Sequence, residues 1–277
     1  MMNAKTRYFF MRNYNHLRNV CFGLATLSVL AAVGLTLSLP GAAVAQEAQP
    51  DPALAQAQEI LRNADLIRFP REGFQVDISI TTRRADQSTE ARRYQVLSRG
   101  NDRTVVIVTE PASERGQTML MSGRDLWVFL PSVSQPVRLS LAQRLTGLVA
   151  NGDLARANFA GDYTPKLLRS EVIDGEEHHV LELTAVDRSV TYQRVLYWVK
   201  KKNAYPHRAE FYSVSGRLLK SCRYENFKTM AGGVRPTRLV MDDALRAGEQ
   251  SVLEYDAMKL RELPDKLFTK EYLKKLE

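Results

Sequence analysis

FQVDISIT, residues 74–81, alternates Phe74, Val76, Ile78 and Ile80 with Gln75, Asp77, Ser79 and Thr81. A period of two places the apolar set on one face, so this is a half-buried strand with one wet face. Similar runs follow at Tyr94–Ser98, Thr104–Thr109, Thr118–Met121 and Leu126–Leu130. They resume at Val180–Thr184, Thr191–Lys200, His207–Tyr212, Leu218–Phe227, Thr237–Met241 and Ser251–Leu260. Turn signals separate them: Gly100-Asn101, Ser122-Gly123, Asp174-Gly175, Ser215-Gly216, Gly232-Gly233 and Ala247-Gly248. Short strands joined by tight turns predict an antiparallel sheet, closed or nearly closed.

Helical spacing frames this β-rich body. Leu54, Ala57, Ile60, Leu61 and Ala64 recur three and four residues apart, which predicts a helix over Pro52–Asp65 ended by Arg68-Phe69-Pro70. Ser140 is placed to cap a helix carrying Leu141, Leu145 and Leu148, with Asn151-Gly152 as its stop. DLARANFAGDY, residues 153–163, then reads as a long connection with its own apolar residues, of the length that covers a site or carries function. Asp265–Leu276 reads as a short amphipathic helix.

The N-terminal segment has the order of an export signal. Lys5, Arg7, Arg12 and Arg18 precede an uncharged run, Cys21–Leu39, then Pro40-Gly41 and the small-x-small site Ala43-Val44-Ala45. Nineteen uncharged residues could just span a bilayer, but the breaker and cleavage site favour processing after Ala45 and a periplasmic mature chain. Cys21 opens the run instead of following a cleavage site, so it is not placed to carry a lipid anchor. The mature chain of residues 46–277 suits a single domain. Its net charge falls from +8 to +4, too mild to argue for nucleic acid. Cys222 is then alone, so the fold rests on its core and not on a disulfide.

No cofactor is implied. The sequence has no G-x-S-x-G, H-E-x-x-H, C-x-x-C or Gly-rich phosphate loop. His178 and His179 are adjacent on a strand and point to opposite faces, which argues against a shared metal. Lys200-Lys201-Lys202 reads as a solvated turn in preference to an anionic-lipid patch, and Arg83-Arg84 and Arg92-Arg93 read the same way.

The positive signal is strands that are apolar on both faces. Leu126, Val128 and Leu130 form one face of a strand, and Trp127 and Phe129 the other; Val195, Tyr197 and Val199 alternate with Leu196 and Trp198. Such a sheet is covered on both faces, or holds an apolar ligand on one. Large aromatics suit a ligand-lined face, so Trp127, Phe129, Leu196 and Trp198 are the candidate cavity residues, with the adaptable Met119 and Met121 beside them.

Three features together resemble the outer-membrane lipoprotein-sorting family, the LolA-like periplasmic carriers. They are the export signal followed by an amphipathic helix; GRDLWVFLPSVSQPVRLS at 123–140, leading into NGDLARANFAGDY at 151–163; and YWVKKKNAYPHRAEFYSVSGRLLK at 197–220. The resemblance covers most of the mature chain. It implies an α+β fold, an incomplete antiparallel β-barrel with helices covering a concave apolar face that shelters acyl chains of lipoproteins or other lipids. It implies a non-enzymatic monomer, with an inner-membrane transporter as a partner. The same fold also implies an alternative, a periplasmic sensor or adaptor of envelope stress or of a lipid-exporting membrane transporter. The chain is longer than the archetypal carrier, and that carrier's gating arginine aligns with no one arginine here.

Overall fold

Asp51 opens the first helix: its side chain accepts the Ala53 N–H at 2.9 Å, and Pro52 takes the first turn, where a missing N–H costs nothing. Helix α1 runs Pro52–Arg68, with Ala57, Leu61, Ala64, Asp65 and Arg68 on its buried stripe. The computed structural model describes residues 51–273 except 101 and 157, and these lie in one compact unit. The export signal read from residues 1–45 lies outside the described residues.

Six strands follow as a meander: β1 (Phe74–Arg83), β2 (Thr89–Arg99), β3 (Arg103–Glu110), β4 (Thr118–Ser122), β5 (Asp125–Phe129) and β6 (Val137–Leu139). A small hairpin, β7 (Arg144–Thr146) and β8 (Val149–Ala150), leads to two short helices, α2 (Asn151–Ala155) and α3 (Phe159–Asp162). A second meander is built from β9 (Tyr163–Ile173), β10 (Glu176–Ala185), β11 (Arg194–Lys200), β12 (Pro206–Tyr212), β13 (Leu218–Met230), β14 (Gly233–Asp243) and β15 (Gln250–Leu260). A 3-10 turn, Asp265–Phe268, and helix α4 (Lys270–Leu273) end the described chain.

The two meanders form one sheet of 13 antiparallel strands, in the order β6-β5-β4-β3-β2-β1-β15-β14-β13-β12-β11-β10-β9. They join where β1 pairs with β15, which sets Ile78 between Tyr94 and Tyr255. The sheet is open, with β6 and β9 as its edges. The fold is therefore α+β and dominated by antiparallel sheet. Strand β9 carries no clean alternation, and Pro165 lies within it; an edge strand tolerates both, because half of its backbone groups pair with nothing in the sheet.

Each face of the sheet has its own core. On the first, Val76, Ile78, Tyr94, Met119, Met121, Leu181, Tyr197, Tyr224 and Leu253 pack with Leu61 of α1, Leu154 of α2 and Phe159 of α3. On the second, Leu97, Val105, Leu120 and Phe129 pack under Leu263, Phe268 and Leu273 of the C-terminal segment. Arg99 ties that segment down by donating to the Leu263 carbonyl at 2.7 Å, and Arg99 and Arg103 both bind Asp265. The expected continuous helix from Asp265 is instead a 3-10 turn and α4, and residues 274–277 lie outside the described chain.

The helix expected over residues 140–148 does not form. Gly147 takes φ +50° and the chain doubles back as β7 and β8. A Cβ at Gly147 would lie 2.0 Å from Thr82 Oγ1 and 2.5 Å from Ser251 Oγ, so only glycine lets this turn press onto the sheet. The Leu148 N–H then donates to Ser251 Oγ at 3.0 Å. Asn151-Gly152 starts α2 instead of ending a helix, and their N–H groups donate to the Gln143 and Leu141 carbonyls. The helical spacing of Leu141, Leu145 and Leu148 reports burial alone, which an irregular loop over a core satisfies equally well.

Candidate functional site

Aliphatic and tyrosine side chains of the first sheet face meet α1, α2 and α3 around a nearly filled space of about 20 Å³, walled by Arg68, Asp153, Phe159, Tyr192, Tyr224, Leu239 and Met241 among others. Three buried ion pairs sit in this apolar setting, where a charge is tolerated only when paired. Two of the three join the helices to the sheet or its turns, and the remaining one, within α1, carries a carboxylate that also reaches α3.

The first belongs to α1. Arg68 donates to Asp65 at 3.3 Å, one helical turn back, and its guanidinium lies 4.2 Å over the Phe159 ring. Asp65 also accepts the Ala160 N–H at 2.7 Å, linking α1 to α3. Burial pushes the Asp65 carboxyl up to about 6, against the opposing pull of Arg68. The second pair holds α3. Asp162 accepts from Arg156 Nε at 2.5 Å and Nη2 at 2.8 Å, and from Arg124 Nε at 2.9 Å. Arg156 also donates to the Gly123 carbonyl at 2.7 Å, and Arg124 binds Asp187. The third holds α2. Lys220 reaches in from β13 to donate to Asp153 at 2.6 Å and to the Leu148 carbonyl at 2.6 Å, while the Tyr192 hydroxyl donates to the same carboxylate at 2.8 Å.

A fourth buried cation fixes α1 itself. Arg235 of β14 donates to the Leu66 carbonyl at 2.9 Å and the Ile67 carbonyl at 3.4 Å, which the helix end leaves without partners, and also to the Met230 and Ala231 carbonyls at the β13–β14 turn. The tyrosine hydroxyls of this chamber stay protonated: burial raises Tyr192, Tyr197 and Tyr224 above the ordinary phenol value. Burial likewise pushes the Cys222 thiol up to about 12.

The raised Asp65 carboxyl gives a pH dependence of known sign. The folded protein holds this proton near pH 6, whereas an unfolded aspartate releases it near 3.8. The folded state therefore gains stability as pH falls through 6, up to about 3 kcal/mol in full and somewhat over 1 kcal/mol between pH 7 and pH 5. His179 and His207, lowered by burial, oppose it in the same window. Urea denaturation of wild type and Asp65→Asn at pH 7 and pH 5 isolates the aspartate. The wild type is expected to gain more on acidification than the variant, and equal responses would refute the assignment.

The six residues singled out from sequence do not line one space. Face parity holds: Met119 and Met121 lie on the first face, within the core that meets the helices. Trp127 and Phe129 lie on the second face under the C-terminal segment, with the Lys270 ammonium 3.8 Å from the Trp127 ring centroid. Leu196 and Trp198 point away from their neighbour Tyr197, which is in the first core. Trp198 is covered by Arg208, 3.9 Å over its ring, and its Nε1 donates to Glu171 at 3.2 Å; Leu196 pairs across strands with Glu182 and Glu210. A two-residue period separates faces without saying which one meets the helices. Trp127→Ala is expected to cost less than the roughly 3–5 kcal/mol of a fully buried tryptophan and to leave acyl-probe affinity unchanged. Thermal melts and probe titration check this.

Sequence reading missed Asp65, Arg68, Asp153, Arg156, Asp162 and Lys220. One signal was present: Lys220 shares parity with Cys222 and Tyr224, so an inward strand face carried a lysine.

A family model described as an uncharacterized protein matches residues 100–275. No functionally curated protein matches the chain. A LolA superfamily protein of Nitrosomonas europaea is 65% identical, covering 78% of this chain and 98% of its own, with a TM-score of 0.75. A DUF1329 family protein of Desulfovibrio piger is 21% identical, covering 80% and 99%, with a TM-score of 0.70. A candidate outer membrane lipoprotein-sorting protein domain of Vibrio parahaemolyticus is 22% identical, covering 80% and 99%, with a TM-score of 0.69. The last two share the fold. Among the described residues, no helix is long and apolar enough to cross a membrane.

Proposed function

This chain belongs to the LolA superfamily, and from that membership we propose that it is a periplasmic, non-enzymatic carrier that shelters acyl chains of a lipoprotein or another lipid. The observation that carries the reading is the first sheet face, whose aliphatic and tyrosine wall is overlaid by α1 and the 151–162 segment. The segment acts as a cover. It is short, it carries only Leu154, Ala155 and Phe159 into the core, and its polar ties are ion pairs that can reform in water. Acyl chains enter as the cover withdraws, because the closed chamber has no room for them. Each CH₂ so sheltered is worth about 0.8 kcal/mol, so a long acyl chain repays opening several ion pairs. Met119 and Met121 belong to the adaptable part of this wall. Residues 1–45 direct export and are removed after Ala45, and an inner-membrane transporter is the partner at one end of the route.

Delipidated mature protein is expected to bind a fluorescent fatty-acid probe saturably, without metal or nucleotide. A titration showing no saturable binding overturns the carrier reading. Fractionation with N-terminal sequencing tests the export reading separately.

A further inference from the structure

Resting on the carrier reading, we infer that the ligand is an amphiphile with an acidic head group, a carboxylate or a phosphate, which Arg68 receives inside the chamber while the acyl chain lies along the aliphatic wall.

Three observations converge. Arg68 is the under-used cation of the interior. Arg156 makes three charge-assisted or carbonyl hydrogen bonds and Lys220 is held by a carboxylate and a carbonyl, whereas Arg68 makes a single long hydrogen bond, to Asp65. A guanidinium carries five donors in a fork that matches carboxylate and phosphate. Second, the Tyr197 side chain is fully buried and its hydroxyl makes no close hydrogen bond, a weak interaction with Tyr224 being what offsets its burial in an apolar interior. Third, one residue of the cover stands over both. Phe159 lies under the Arg68 guanidinium at 4.2 Å and edge-on to the Tyr197 ring at 5.4 Å. Phe159 thus fills the place a head group would take. When the cover withdraws, the ring leaves and the donors of Arg68 and Tyr197 are uncovered together, at a wall that is otherwise apolar. A neutral ester or alcohol offers no charge to match the guanidinium. Asp65 is the resident rival anion, and its link to Ala160 ties it to the closed state.

The test is a head-group series on the wild-type mature protein, read by displacement of a neutral fluorescent acyl probe. Palmitate, hexadecyl phosphate, methyl palmitate and hexadecanol are compared at submicellar concentration. At least one acid is expected to bind about tenfold tighter than both neutral ligands; which of the two does so separates a fatty-acid cargo from a phosphorylated one. Arg68→Met is expected to abolish the preference, so that the ratio of acid to hexadecanol affinity falls to about one. Asp65→Asn, which removes the rival and keeps a group of the same shape, is expected to widen the ratio of acid to hexadecanol affinity several-fold. It decides the matter if Arg68→Met does not fold. Equal binding of all four ligands overturns the head-group inference and leaves the carrier reading standing. Binding of none overturns both.

Discussion

Lys220→Ala is expected to destabilise the protein by about 3–5 kcal/mol, the cost of stranding one member of a buried ion pair. The Lys220 side chain is 5% exposed and that of Asp153 is 9% exposed, so neither charge can turn to water without moving the backbone. Removing the ammonium leaves the carboxylate with the Tyr192 hydroxyl and the Ala150 N–H, which satisfy its hydrogen bonds without neutralising it. It also leaves the Leu148 carbonyl without its buried donor and opens a gap against Met241. The double variant Lys220→Met/Asp153→Asn removes both charges at similar volume. It is expected to recover most of the loss, because a buried pair replaced as a unit is often nearly neutral. Urea denaturation of the three proteins measures this. A single-variant loss below about 1 kcal/mol would mean that the pair is open to solvent.

Asp162→Ala should cost a similar amount, about 3–5 kcal/mol, by a different route. Asp162 is the common acceptor for Arg156 and Arg124, whose donors come from the cover and from the β4–β5 turn. Without it, buried Arg156 keeps only the Gly123 carbonyl, and the cheapest relief is for the segment to lift and hydrate the guanidinium. The loss is then local. Cleavage by trypsin at Arg156 should accelerate before the sheet unfolds. Acyl-probe affinity should rise, since the observed affinity scales with the fraction of molecules already open. Denaturation, limited proteolysis and probe titration on one preparation give all three numbers. Lower stability with unchanged proteolysis and affinity would show that Asp162 supports the sheet and not the cover.

What could be read in advance divides along physical lines. Most strands of the two meanders were legible because they form short alternating or apolar runs bounded by turn residues, and α1 because its apolar residues recur at three and four; the three-residue β6 was too short to show a pattern. Strand β9 escaped because an edge strand needs neither alternation nor freedom from proline. The 140–148 turn misled because Leu141, Leu145 and Leu148 reach the core from a loop with the spacing that a helix would use. The polar heart of the chamber was the least legible. Lys220 and Asp153 are 67 residues apart and each looks locally like a solvated charge, while Arg68 looks like a helix end. A pair of this kind is defined by how the meanders close on the helices, which no local pattern carries.

The junction of the two meanders has a consequence for assembly. Strand β1 is the first of the sheet in sequence and β15 the last, yet they are hydrogen-bonded neighbours at the centre of the order. A chain emerging N-terminus first can form β1 to β6 by local hairpins, and later β9 to β14 likewise, but the seam must wait for β15. Until then β1 presents an unpaired edge, and α1 lacks β14, whose Arg235 caps its final turn. The early half is thus committed last, and its fold stays provisional until the final strand has been made. Non-local closure of this kind slows folding, because loop entropy is lost before the contact rewards it. A sheet whose central seam is also its last junction is either whole or not yet formed.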